Sequence, residues 1–211
     1  MGDFTPANRI SKLAVTDDTL CGRGGVALFC RYLETVGIYR LLLGPFAGQR
    51  KSSKGLPVWK LFKQVLCFFF DGTSRHLSWF DRLAQDAGYQ AVIEEEAEQM
   101  ASSHAIKRFF KSFGWMSNQL FRKLLRRLFV WRLTIEQPEF IELTLDTMVM
   151  DNDEAEQREG VKPTYKKVKG FQPLQLIWNG MIVDALFRSG SKHGNCGEAA
   201  AQMVTTAVHH I

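Results

Sequence analysis

The chain has 211 residues, 45% of them apolar and 12% aromatic, enough to bury a core in one large domain or two small ones and too apolar for a disordered chain. Its 27 Lys+Arg against 22 Asp+Glu leave a formal charge of +5, which permits a polyanionic partner without requiring one, so the distribution of charge says more than its total. Cys21, Cys30, Cys67 and Cys196 form no CxxC pair, against a zinc ribbon or a dense disulfide framework, and with no leader segment and no apolar run near the ~20 residues of a membrane span the expectation is a soluble, cytoplasmic protein with reduced thiols.

After a polar lead, Gly24 and Gly25 open a segment in which Val26, Phe29, Leu33, Val36, Tyr39 and Leu42 recur at helical spacing, interrupted at Gly37 and closed by Gly44 and Pro45, which predicts one helix or two joined ones. A basic loop with Arg50, Lys51 and Lys54 leads to Pro57, read as the first residue of a helix that reaches about Phe70. Its Val58, Leu61, Phe62, Val65, Leu66 and Phe69 form an apolar stripe expected in the core. Weaker helical patterns follow over 77–88 and 91–100, the second bearing Glu94, Glu95, Glu96 and Glu98, read as a solvated face.

Ser102 or Ser103 suits the cap of a short helix enclosing Ile106, Phe109 and Phe110, and Ser117 the cap of a longer one running to about Arg132. Between His104 and Ile135 stand eight basic residues (Lys107, Arg108, Lys111, Arg122, Lys123, Arg126, Arg127 and Arg132) and no acidic one. Arg122 and Arg126 are four apart, as are Lys123 and Arg127, so two basic rows flank a stripe of Leu120, Leu124 and Leu128, a ridge suited to a phosphate backbone.

From Glu139 the period changes to two: over 140–150, Ile141, Leu143, Leu145 and Val149 fall on one side and Glu142, Thr144 and Asp146 on the other, which predicts a strand. A second strand is expected over 174–178, a hairpin turn at Asn179 and Gly180, a third strand over 181–187 and a helix over 197–210. The helical pattern yields to strands near Gln137 and Pro138, so the expected division is a helical region 1–137 and an α/β region 138–211. A carboxylate on the polar side of an apolar strand is costly to bury unless paired or metal-bound, which singles out Asp146.

The runs LTLDTMVMDNDEA (143–155), REGVKPTYK (158–166) and KGFQPLQ (169–175), followed by Val183-Asp184-Ala185, FRSG (187–190) and HGNCG (193–197), together resemble bacterial insertion-sequence transposases with a ribonuclease-H-like DDE domain. A looser likeness extends to 103–113 in the helical half. The resemblance implies an α+β fold: a helical, DNA-binding N-terminal region, then an incomplete ribonuclease-H-like domain of three antiparallel strands and one helix that ends before a fourth strand. It maps Asp146 onto the first catalytic aspartate and metal ligand, through the motif Leu145-Asp146-Thr147.

The family's cofactor is magnesium or manganese, and its partner double-stranded DNA at terminal inverted repeats; the protein partner left open is a second copy, in a homodimer, or a full-length transposase. Its chemistry uses two metals roughly 3.5–4 Å apart, so a lone Asp146 implies DNA binding without strand transfer. The other reading is a non-catalytic regulator that inhibits transposition by occupying DNA or dimerising with a full-length relative. Lys166, Lys167 and Lys169, beside the active-site strand, join Lys107, Arg108, Lys111, Arg122, Lys123, Arg126 and Arg127 as candidate phosphate contacts.

Three local motifs are set aside. The acidic run from Asp151 lacks the glycine and terminal glutamate of a calcium loop, Gly22 to Gly25 is too short for a dinucleotide fingerprint, and the adjacent His209 and His210 do not share a helical face.

Overall fold

A computed structural model describes residues 21–49, 55–154, 158–193 and 197–211. The basic loop residues Arg50, Lys51 and Lys54, the loop centre 155–157 and the motif residues Asn195 and Cys196 therefore lie outside the described residues. The fold is α+β, with helices and two three-stranded antiparallel sheets. The chain divides into two compact units between Ser112 and Phe113. The pattern change at Gln137 and Pro138 marks instead the end of a helix, α7, that groups with the strands.

The first unit is helical: α1 (Gly24–Thr35), α2 (Ile38–Phe46), α3 (Val58–Asp71), α4 (Phe80–Leu83), α5 (Ala87–Ile93) and α6 (Ser103–Lys111). Val26, Cys30 and Leu33 bury one face of α1, and Gly37 separates α1 from α2 at φ 66°, a left-handed conformation that glycine takes without a Cβ penalty. Pro57 is the N-cap of α3 and not its first residue, because its extended ψ of 151° lies outside the helix, while its carbonyl accepts from Leu61 N. The buried face of α3 runs through Val58, Leu61, Phe62, Val65 and Phe68. Phe69, expected in that stripe, is 63% exposed, since one residue's turn swings it off the face that Phe68 occupies.

Only part of the 91–100 segment is helical, and its acidic group is not uniformly solvated. Glu95 is buried and receives Lys60 Nζ at 2.6 Å and Lys63 Nζ at 3.1 Å, while Glu94 meets Arg31 at 2.5 Å. Buried Gln64 donates to Gln99 O (2.8 Å) and accepts from Ala101 N (2.7 Å), fastening the loop before α6. Ser102 is the cap of α6, accepting from Ala105 N, and Ser103 donates both its N–H and its hydroxyl to Asp81. These donors hold Asp81 below the usual carboxylate range. In the core Cys30 and Cys67 are free thiols, and their hydrogen-bonding to each other lowers the pKa of Cys30 and, with burial, raises that of Cys67.

The second unit holds α7 (Trp115–Glu136), β1 (Thr144–Thr147), β2 (Met150–Asp151), β3 (Lys162–Pro163), β4 (Lys169–Phe171), β5 (Leu174–Trp178), β6 (Met181–Leu186) and α8 (Ala199–Val208). Gly114 caps α7, which runs past Arg132 to Glu136; Ser117, expected as the cap, is buried inside the helix. The expected long first strand is divided: β1 ends at Thr147, and β2 joins a second sheet of order β2-β4-β3 that the sequence pattern did not announce. Gly170 of β4 permits that sheet, since a Cβ there would sit 2.1 Å from Met150 O.

The main sheet has the order β1-β5-β6 and is antiparallel, with Asp146 opposite Gln175. Asn179 (φ 48°) and Gly180 (φ 76°) turn β5 into β6 with both central residues left-handed, as the sequence predicts. Leu174, Leu176 and Trp178 of β5 form the core with Phe129 of α7, Val183 of β6 and Met203 and Ala207 of α8. The register shifts between Leu176 and Ile177, whose partners are Asp184 and Ile182, so Val183 is the extra residue of a β-bulge. The bulge breaks the alternation and buries the neighbours Val183 and Asp184 together. No helix among the described residues is long and apolar enough to cross a membrane.

Candidate functional site

Asp146 lies on β1, an outer strand of the main sheet, and is exposed. Its neighbour Leu145 is 36% exposed, so β1 has no fully covered apolar side and the cost of burying a carboxylate does not arise there. One Asp146 oxygen accepts from Thr147 N at 2.7 Å. Thr147 also meets Arg188, a residue only 8% exposed whose Nε donates to Gln172 O at 3.1 Å. Arg188, just past β6, thus reaches the strand residue next to Asp146, a neighbour that single-strand periodicity does not reveal.

Among the described residues no group of three or more His, Cys, Asp or Glu side chains comes together to hold a metal. Magnesium takes one or two carboxylates together with substrate phosphates and water, and Asp146 supplies one. The described residues do not by themselves fit a two-metal centre.

The basic ridge expected on α7 separates into an inner and an outer row. Arg122 Nε and Nη2 donate to the two carboxylate oxygens of Asp184 at 2.8 and 2.9 Å, and Arg126 Nη1 donates to Oδ2 at 2.7 Å. Asp184 is fully buried and also accepts from Ala185 N at 2.8 Å. Arg122 and Arg126 are therefore engaged inside the unit, fastening α7 to β6, and do not belong to a phosphate-facing ridge as expected. Arg122 meets Asp184 fork to fork and Arg126 adds a single bond, so both carboxylate oxygens are satisfied, which makes the burial of Asp184 tolerable.

Lys123 and Arg127, one residue further around the helix, stand exposed. Asp184 was missed as a site residue because the bulge at Val183 turns it inward; the signal was a carboxylate within an apolar strand 62 residues from Arg122.

Lys166 and Lys167 occupy the turn between β3 and β4. Lys167 takes φ 62° and donates its N–H to Thr164 O at 3.0 Å, while the Lys166 ammonium lies 5.9 Å from the Tyr165 ring centroid. Lys169 begins β4, and its N–H donates to Asp153 at 2.9 Å. All three side chains are exposed.

In the first unit, Lys107, Arg108 and Lys111 are exposed on α6, opposite buried Ser103, Ile106 and Phe109. Arg108 and Lys111 fall in the last turn, where positive charge also favours the helix dipole. Each unit thus presents an exposed basic surface of its own. Compared with family models, with curated proteins and with solved structures, the chain matches none.

Proposed function

We propose that this chain binds double-stranded DNA as part of an insertion-sequence transposase of the DDE type, with the β1-β5-β6 sheet as the front of a ribonuclease-H-like domain. The observation that carries the reading is the antiparallel β1-β5-β6 sheet with Asp146 on its outer strand and α8 following it in sequence. The order of strands and helix, and the position of Asp146 in the first strand, agree with what the motif resemblance implies. The cations assigned to phosphate are the exposed ones: Lys123 and Arg127 on α7, Lys166, Lys167 and Lys169 around β4, and Lys107, Arg108 and Lys111 on α6.

The second reading is a non-catalytic regulator that occupies the DNA or the dimer surface of a complete transposase. Suppression of a complete transposase by this chain on its terminal repeats would favour that reading.

The test is fluorescence anisotropy of the full chain against a labelled duplex over a range of salt concentrations. Each phosphate neutralised releases counterions, so log Kobs is expected to fall steeply and linearly with log salt. The double variant Lys123→Gln with Arg127→Gln is expected to lower the magnitude of that slope by roughly 2, about one unit per lost phosphate contact. Salt-independent binding, or no binding, overturns the reading. In a complete transposase carrying this sequence, Asp146→Ala is expected to abolish strand cleavage, and retained cleavage removes Asp146 from the catalytic role.

A further inference from the structure

The outer row of α7 does not end at its cations. Residues four apart on an α-helix advance about 6 Å along the axis and about 40° around it, so Lys123, Arg127, Trp131 and Ile135 form one slowly winding row. Lys123 and Arg127 are exposed, Trp131 is 55% exposed and Ile135 60%. The winding carries the row toward the flank of α7 that bears Leu125, Leu128 and Arg132. There, between α7 and the β5–β6 hairpin, lies a groove of about 260 Å³ bounded by Leu128, Trp131, Met181 and Ile182, with buried Trp178 among its walls. Arg132, also on the groove, is paired with Glu136.

A ligand matching this surface carries negative charge along one stretch and a flat apolar group at its end. Residues 104–135 include no acidic residue, and Glu136, at the far end of the row, has its charge met by Arg132. From Lys123 to Trp131 the row covers about 12 Å of helix axis, enough to follow a short stretch of one DNA strand. A base inside a duplex is stacked on both faces and cannot reach an indole, whereas an unpaired base offers its π-face to any aromatic ring.

We infer that the groove binds an unpaired nucleotide of a DNA strand whose phosphates lie along Lys123 and Arg127, with the base against Trp131. The inference rests on the DNA-binding reading and adds a strand-end or locally unpaired substrate to it.

The full chain is titrated against a labelled blunt duplex and against the same duplex with a short single-stranded overhang, 3′ and 5′ in turn. One overhang polarity is expected to bind about tenfold more tightly than the blunt duplex, the gain from stacking one base. Trp131→Ala is expected to bring the overhang down to the blunt-duplex affinity, and Trp131→Tyr, which keeps an aromatic face, to restore most of the preference. Thermal melting of both variants checks that they fold. Equal affinity for blunt and overhang duplexes, or a preference that survives Trp131→Ala, overturns this inference while leaving duplex binding in place. Failure to bind either duplex overturns the DNA reading and this one with it.

Discussion

Both units bury a carboxylate between two cations, and the two solve the problem differently. In the helical unit Glu95 takes an ammonium from Lys60 and another from Lys63. In the sheet unit Asp184 takes the forked guanidinium of Arg122 on both oxygens and a third bond from Arg126. An ammonium is a point charge on a flexible stem, whereas a guanidinium fixes direction as well as distance. The lysine triad ties a loop residue to α3 by charge. The arginine clamp also sets the rotation of α7 about its own axis, which is what turns Lys123 and Arg127 outward.

That contrast is easiest to break with Asp184→Ala, which leaves two guanidiniums in the interior without their acceptor. Removing one member of a buried pair costs about 3–5 kcal/mol, and urea unfolding of the full chain is expected to show a loss of that size. Glu95→Ala is expected to cost somewhat less, about 3 kcal/mol, because it strands one buried ammonium, that of Lys63 (side chain 4% exposed), while that of Lys60 (20% exposed) can turn to water. A Glu95→Ala loss equal to or larger than that of Asp184→Ala would show that directional pairing is not what distinguishes the units.

Gly170→Ala tests the sheet unit at a point where packing, and not charge, decides. The added methyl meets the Met150 carbonyl, and the forced separation of β2 from β4 is expected to cost about 1–3 kcal/mol in the same unfolding experiment; an unchanged midpoint would mean that the small sheet contributes nothing to stability.

The smallest effect is in acid. Asp86 is held below the usual carboxylate range by its hydrogen bond from Arg23 and by the N–H of Tyr89. Since its pKa in the folded chain lies below the unfolded value of about 3.9, the unfolded chain binds more protons in that window. The contribution is therefore present above about pH 4 and is lost as pH falls through the folded value. Asp86→Asn is expected to flatten the acid limb of a stability profile, and an unchanged limb would assign acid sensitivity elsewhere.

Local pattern was informative wherever burial follows a period. The helical face of α1 through Val26 and Leu33, the Ser102 cap, the Asn179-Gly180 turn, the strands β5 and β6 and the helix α8 were all legible, because each depends on residues within one or two turns of each other. The candidate site was legible in part. The position of Asp146 on a strand and the exposed row of Lys123 and Arg127 follow from sequence, but the sorting of α7's cations into an inner and an outer row does not.

The amino-acid order by itself determined the main helices, the strands β5 and β6 and the turn between them, since those preferences are written in neighbouring residues, but not the small β2-β4-β3 sheet. The tertiary structure alone decided that α7 packs with the strands and that Arg122 and Arg126 face inward. It also decided that Glu95 is buried and Phe69 is not, and that a bulge at Val183 turns Asp184 into the core. These outcomes depend on partners such as Asp184, which lies 62 and 58 residues from its two arginines. A period of 3.6 or 2 states that a face is to be covered; only the packed chain supplies what covers it.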